Sequence, residues 1–351
     1  MNTGVDGGVD HVAASASRIG PAVGADQASR LRALVGQAGN AGQVGAGAAR
    51  GDEVSAWRRA GHAGVPVVAI TSGKGGVGKT NLAVNLSIAL AARGARVTLV
   101  DADLGMANTD VLLGLSPSRR IDAVVGSSGG GSWSLAGVCV EAPGGFRLVP
   151  GSAGVARMAN LPRESRAAMI DALSTLSASS DVVLIDTGAG AHAGVTSFVR
   201  AADVALVVVT PEPTSIADAY AMVKCLTDAG RMREAMPRVM LVVNQAVDEE
   251  EARGVHARIA AVSARFLGAE PGMLGWVPSD AGVGRAVRAR VPFVMREPRG
   301  AAGLAVGRLA GAIEERWMPC RAEHVANRGG WLARLVRWYE GNGGGAVGMA
   351  R

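Results

Sequence analysis

Apolar residues in the middle of this chain fall into short unbroken runs, separated by longer stretches with helical period. The runs are Val67–Ile70, Val97–Val100, Phe146–Val149, Val182–Ile185, Val204–Val209, Val239–Val243 and Leu274–Val277, and most are continuous rather than alternating. Continuous β-type runs are expected of strands covered on both faces, as in a parallel sheet between layers of helices. Between them, Asn81–Ala92, Arg163–Ser177, Ser215–Ala229, Glu249–Phe266 and Ala301–Trp317 read as helices. The alternation predicts a doubly wound α/β fold, with a mostly parallel sheet of about seven or eight strands and helices on both faces. In such folds the ligand chemistry collects at the carboxyl ends of the strands. No internal repeat is visible.

The flanks read differently. Residues 1–25 are small and polar and are expected to be disordered, whereas residues 26–35 predict a short helix with Asp26 as N-cap and Leu31, Leu34 and Val35 on one side. Residues 36–64, rich in Gly, Ala and Gln, read as a flexible linker into a domain spanning 65–317. In the tail, 318–351, a helix is expected at about 329–340. There Trp331, Leu332, Leu335, Trp338 and Tyr339 share one face, with Arg334 and Arg337 beside it. Apolar bulk with Trp and Arg at the rim suits a helix lying in an anionic membrane interface, and equally a helix packed on its own domain.

Composition narrows this picture. Hydrophobic residues make up 48% of the 351, ample for a core, although some of the 50 glycines sit in tracts that do not fold. No apolar run approaches the roughly 18–20 residues of a membrane span. Met1 to Gly24 lacks both the basic start and the apolar stretch of a secretory leader, so a cytoplasmic location is expected. Cys139, Cys225 and Cys320 are far apart and form no metal or disulfide pattern. The net charge of +6 is unevenly placed, with twelve arginines against five glutamates between Arg285 and Arg351. That asymmetry points to a local anionic partner, lipid or nucleic acid.

The densest chemistry lies between the first run and the first helix, where Gly73-Lys74-Gly75-Gly76-Val77-Gly78-Lys79-Thr80 satisfies G-x-x-x-x-G-K-[ST]. A Gly-rich turn from a buried strand into a helix points a row of backbone N–H groups inward and makes a cradle for a triphosphate. Lys79 is expected at the β/γ-phosphates and Thr80 on Mg²⁺, and the nucleotide contact runs from Gly73 to Asn81. The second lysine, Lys74, is either a solvated charge steering nucleotide or a catalytic one, and a catalytic role requires that water be excluded around it. Asp101 and Asp103 close the second run and Asp186 closes Val182–Ile185. Carboxylates at strand ends beside a phosphate loop suit Mg²⁺ coordination and orientation of a water, the plain alternative being turn or cap residues.

These motifs resemble the MinD/ParA family of deviant Walker A ATPases. Thr71 to Leu115, in particular, is similar to its FlhG/FleN branch of flagellar number regulators. The stretches Val149 to Val155, Asp186 to Gly190, Thr210 to Lys224 and Ala286 to Phe293 match as well. The resemblance implies an ATP-sandwiched homodimer in which Lys74 reaches the partner's phosphates. It makes Asp103 the carboxylate that positions the hydrolytic water, Asp101 an outer-sphere Mg²⁺ partner, and Asp186 the Walker B carboxylate. It places Asn244 on the adenine, with Pro278 and Asp280 bordering the base, although Asn244 alone equally reads as a turn residue. Asp26-Gln27-Ala28-Ser29-Arg30-Leu31-Arg32 resembles the activator motif of the same branch, which implies stimulation of the signal-recognition-type GTPase FlhF through Gln27, with Asp26, Leu31 and Arg32 shaping the contact. Alone, that segment equally reads as a short helix docked on its own domain.

The implied activity is Mg²⁺-dependent ATP hydrolysis switching a dimer that controls flagellar number or placement. Its tail helix would bind the inner membrane face when ATP is bound. Flagellar switch-complex proteins or a flagellar transcription regulator are the further implied partners, and direct DNA binding is not expected. A division-site or chromosome/plasmid segregation ATPase shares the chemistry and is the alternative. An iron–sulfur carrier of the same family is disfavoured by the scattered cysteines.

Overall fold

The computed structural model describes residues 65–103, 107–120, 138–151, 179–227 and 236–318. The expected helices at 26–35, 163–177 and 329–340, the linker 36–64 and the tail beyond 318 lie outside the described residues. All seven expected strands are present: β1 (Val67–Ser72), β2 (Val97–Ala102), β4 (Phe146–Val149), β5 (Val182–Ala189), β6 (Val204–Val209), β7 (Arg238–Ala246) and β8 (Gly272–Pro278). A short β3 (Val140–Ala142) joins them. They form one sheet ordered β3-β4-β2-β5-β1-β6-β7-β8. All the described pairings are parallel except β3 with β4.

The central strands are wholly buried because helices cover both faces. On one side α1 (Lys79–Ala92) and α8 (Ala301–Trp317) pack with the short α6 (Ala281–Arg288) and α7 (Phe293–Arg296). On the other lie α3 (Ala193–Ala201), α4 (Pro213–Thr227) and α5 (Glu249–Leu267). The four-residue α2 (Thr109–Leu112) follows β2. Trp317, 1% exposed, anchors the C-terminal end of α8 in the core. Helix α5 begins with a reciprocal cap, since Asp248 Oδ1 accepts from Glu251 N at 2.8 Å and Glu251 Oε2 accepts from Val247 N at 2.7 Å.

This topology places the site. β1 lies mid-sheet between β5 and β6, so the loop leaving β1 emerges where the strand order turns. The parallel register then sets Asp186 beside Ile70 on one side and beside Asp101 on the other. Two acidic strand ends distant in sequence thereby become neighbours at one edge of the sheet. Among the described residues, no helix is long and apolar enough to cross a membrane.

Candidate nucleotide-binding site

The loop after β1 has the backbone its sequence requires. Gly76 and Gly78 take φ values of 78° and 92°, a left-handed region that side chains disfavour. Gly73 is needed for closeness instead, since a Cβ there would stand 2.0 Å from the carbonyl oxygen of Asp218. Ser72 Oγ donates to Lys74 O at 2.6 Å, and Gly190 N donates to Ser72 O at 2.9 Å, which tethers the loop after β5 to the first loop. Val77 is buried, and its carbonyl accepts from Asn244 Nδ2 at 2.8 Å.

Inside the loop opens a cleft of about 660 Å³. One wall is Gly75, Gly76, Gly78, Lys79, Thr80 and Asn81, and the other is Asp103, Gly188, Ala189, His192 and Val195. Lys79 is buried, which pulls its ammonium below the usual lysine value, while Asp186 and Asp103 oppose that shift. Asp186 is buried behind the cleft with its carboxyl pushed up to about 7. Desolvation dominates there, the charges of Asp101 and Asp103 add to it, and a hydrogen bond from Thr80 and the charge of Lys79 partly offset it. Its Oδ1 has no protein partner.

An orphaned buried carboxylate oxygen, hydrogen-bonded through its own side chain to the P-loop threonine, fits a divalent cation well. Among the described residues no three His, Cys, Asp or Glu side chains form a self-sufficient metal cage. Mg²⁺ does not require one, because it is held by one or two protein oxygens together with substrate phosphates and water.

Asp101 is used differently from Asp186. Its Oδ1 accepts from Asp103 N and its Oδ2 from Thr109 N, each at 3.2 Å. Burial raises its carboxyl and these bonds lower it again. Both oxygens are thus occupied in bracing the turn that carries Asp103 and α2. Nearby, Arg120 ion-pairs with the buried Asp110 and donates to Gly151 O at 3.0 Å, closing that turn over β2.

Lys74 stands outside the cleft lining. Its Nζ donates to Glu212 Oε2 at 2.6 Å and to Thr214 Oγ1 at 3.1 Å, at the junction of β6 and α4. Asn244, Pro278 and Asp280 are also absent from the cleft walls. Asn244 acts as a strut under the loop, and a Cβ on Gly78 would meet its Nδ2 at 2.5 Å. The following residue, Gln245, has φ 61° at a bulge in β7. Asp280 caps two helices, accepting from Gly282 N at 2.7 Å and from Ala302 N at 3.1 Å. Those N–H groups, Ala302 foremost, hold its carboxyl below the ordinary range. The sequence reading did not single out His192, Glu212 or Thr214. Only His192 carried a local signal, being the polar residue that ends the small-residue run after Asp186.

Comparison with known proteins agrees with this geometry. Residues 68–293 match the model of the CobQ/CobB/MinD/ParA nucleotide-binding domain. The chain is 43% identical to the antiactivator FleN of Pseudomonas aeruginosa over 73% of its own length and 88% of that protein. It is 31% identical to the flagellum site-determining protein YlxH of Helicobacter pylori, over 70% of this chain and 81% of that one. Among solved structures, the MinD cell division protein of Aquifex aeolicus superposes with a TM-score of 0.55 at 27% identity, covering 71% of this chain and 96% of that one. The chain belongs to the CobQ/CobB/MinD/ParA nucleotide-binding family, whose P-loop it carries at residues 73–80.

Proposed function

We propose that this protein is an ATP-hydrolysing, dimerising switch that controls the number or placement of flagella. The observation that carries the chemistry is the Thr80–Asp186 pair beneath the loop, with one Asp186 oxygen left open. The flagellar assignment is supported by the 43% identity to FleN across most of both chains.

In this reading the N–H groups of Gly75, Gly76 and Gly78 and the ammonium of Lys79 hold the β- and γ-phosphates. Thr80 and Asp186 would hold Mg²⁺, which would supply charge neutralisation at the phosphates, while Asp101 would support the site by bracing Asp103. Asp103 Oδ accepts a hydrogen bond from the attacking water and aligns it with the γ-phosphorus. Little base strength is needed, because the transition state is loose and the proton passes to a phosphate oxygen. The P–O bond to the β-phosphate breaks, leaving ADP and inorganic phosphate. Asn244 gives one Nδ2 hydrogen to Val77 O and keeps Oδ1 as an acceptor. An acceptor in that place selects the 6-amino group of adenine over the carbonyl of guanine, and Pro278 and Asp280 border the base from β8.

Lys74 supplies the link to assembly. In a single subunit its ammonium is held by Glu212 and Thr214. In the dimer it exchanges them for the partner's phosphates, at an interface that excludes water and so strengthens the charge. Hydrolysis removes that anchor and the loops around Asp103 and Asp186 relax. The tail face Trp331, Leu332, Leu335, Trp338 and Tyr339 binds anionic membrane in the ATP state, and Asp26, Gln27, Leu31 and Arg32 engage the GTPase FlhF.

The test has two arms. Lys74→Ala should still bind ATP but should remain monomeric by size exclusion with a non-hydrolysable analogue; dimers in that variant would refute the exchange. In cells lacking the protein, the wild-type chain should restore flagellar number and Lys79→Ala should not. Normal flagella in the null strain would instead favour a role in division or segregation.

A further inference from the structure

Between Asp280 and Arg308 the chain has two carboxylates and six guanidinium groups. Both carboxylates are consumed internally. Asp280 spends its oxygens on the N–H groups of Gly282 and Ala302, and Glu297 is paired with Arg285 at 3.0 Å. The other five arginines, Arg288, Arg290, Arg296, Arg299 and Arg308, are exposed, and none makes an ion pair or side-chain hydrogen bond with the described residues. Among them stand exposed aliphatic side chains, Val287 at 36%, Met295 at 45% and Leu304 at 53%. The array is held rigid by buried contacts, since Asn85 on α1 accepts from Val294 N at 3.0 Å and Phe293 is in the core. Arg290 even occupies a left-handed position, φ 52°, where glycine would sit without strain.

We propose that this α6–α7–α8 surface docks the folded domain onto an anionic lipid bilayer. Uncompensated arginines interleaved with single aliphatic side chains match a charged headgroup layer over a shallow apolar one. Nucleic acid fits less well. The exposed Val287, Met295 and Leu304 have no apolar counterpart along a phosphate backbone, and the segment's one aromatic, Phe293, is buried and unable to stack on a base. The surface stands apart from the tail face at 329–340 and is compatible with it. Twelve residues separate Met318 from Trp331, a reach of about 40 Å. Helix α8 is only about 25 Å long, so the tail can return to the level of this surface.

The experiment is sedimentation of the full-length protein with mixed phosphatidylglycerol–phosphatidylcholine vesicles over a range of salt. Arg288→Gln, Arg296→Gln and Arg299→Gln together should weaken partitioning by about 100-fold and flatten the salt dependence. The matching Lys variants should restore both. Melting temperature and nucleotide affinity should stay unchanged, because these side chains make no bond within the described fold. A second full-length variant, Leu332→Glu with Leu335→Glu, silences the tail and should retain salt-sensitive binding to anionic but not to neutral vesicles. Loss of all binding in that variant would confine lipid contact to the tail and overturn the proposal, without touching the nucleotide switch. Unchanged sedimentation of the Gln variant would overturn it too, as would lost duplex-DNA binding alongside intact vesicle binding.

Discussion

Replacing Asp186 with asparagine should make the nucleotide-free protein more stable at mildly alkaline pH while destroying its response to MgATP. In the folded state the carboxyl titrates at about 7, against 3.8 for an unperturbed aspartate. A raised folded value favours the protonated form, so its contribution to stability is full below the unfolded value. That contribution is lost as pH rises from about 4 through about 7. At roughly 1.4 kcal/mol per unit, the charged carboxylate costs the apo protein about 4 kcal/mol by pH 8. Asparagine removes that cost and keeps an oxygen for Thr80, but it leaves an N–H in place of the open Oδ1, a penalty of about 1–3 kcal/mol. The variant should therefore be about 1–3 kcal/mol more stable than wild type near pH 8 and less stable by a similar amount near pH 4. Urea unfolding at both pH values measures this directly, and adding MgATP should stabilise the wild type strongly and the variant hardly at all. An equal difference at the two pH values would show that burial of this carboxylate does not set its energetics.

Three further outcomes follow from the same geometry. Asp103→Ala should still form ATP-bound dimers but hydrolyse about 100-fold more slowly; a wild-type rate would remove Asp103 from the mechanism. Asn244→Ala should narrow the ratio of ATP to GTP affinity in calorimetric titrations, whereas a residue acting only as a strut under Val77 would lower both affinities together. Asp280→Ala should cost about 2–3 kcal/mol through two lost helix caps. Because the wild-type carboxyl is held low, that advantage should be present above the ordinary carboxylate range and fade on acidification; an unchanged urea midpoint at neutral pH would contradict it.

Much of the fold could be read from the chain because the signals were local. Seven continuous apolar runs became seven strands, since burial on both faces imposes a composition that needs no tertiary knowledge to recognise. β3 escaped because Val140–Ala142 is a three-residue edge strand, only partly buried, turned back on β4 by Gly144 and Gly145 at φ 91° and 82°. Helices α6 and α7 are too short for periodicity to declare them. The phosphate loop was legible for the same local reason as the strands. Partners made across the sheet were not. Lys74 meets Glu212 from beyond β6, and Asn244 reaches Val77 from the end of β7.

The two strand-end aspartates show where local reading stops. Asp101 and Asp186 look alike in the sequence, each following a buried apolar run, and the register sets them side by side. What separates them is the donor supply that the fold brings to each. β2 runs straight into a turn, so the N–H groups of Asp103 and Thr109 fold back onto Asp101 and saturate it. β5 continues past Asp186 to Ala189, so its own backbone stays in the sheet and only the Thr80 hydroxyl arrives from outside. One carboxylate thereby becomes a brace and the other keeps a buried oxygen open. That difference depends on strand length and loop direction rather than on residue type, and it is why the proposed cation contact is placed on Asp186 ahead of Asp101.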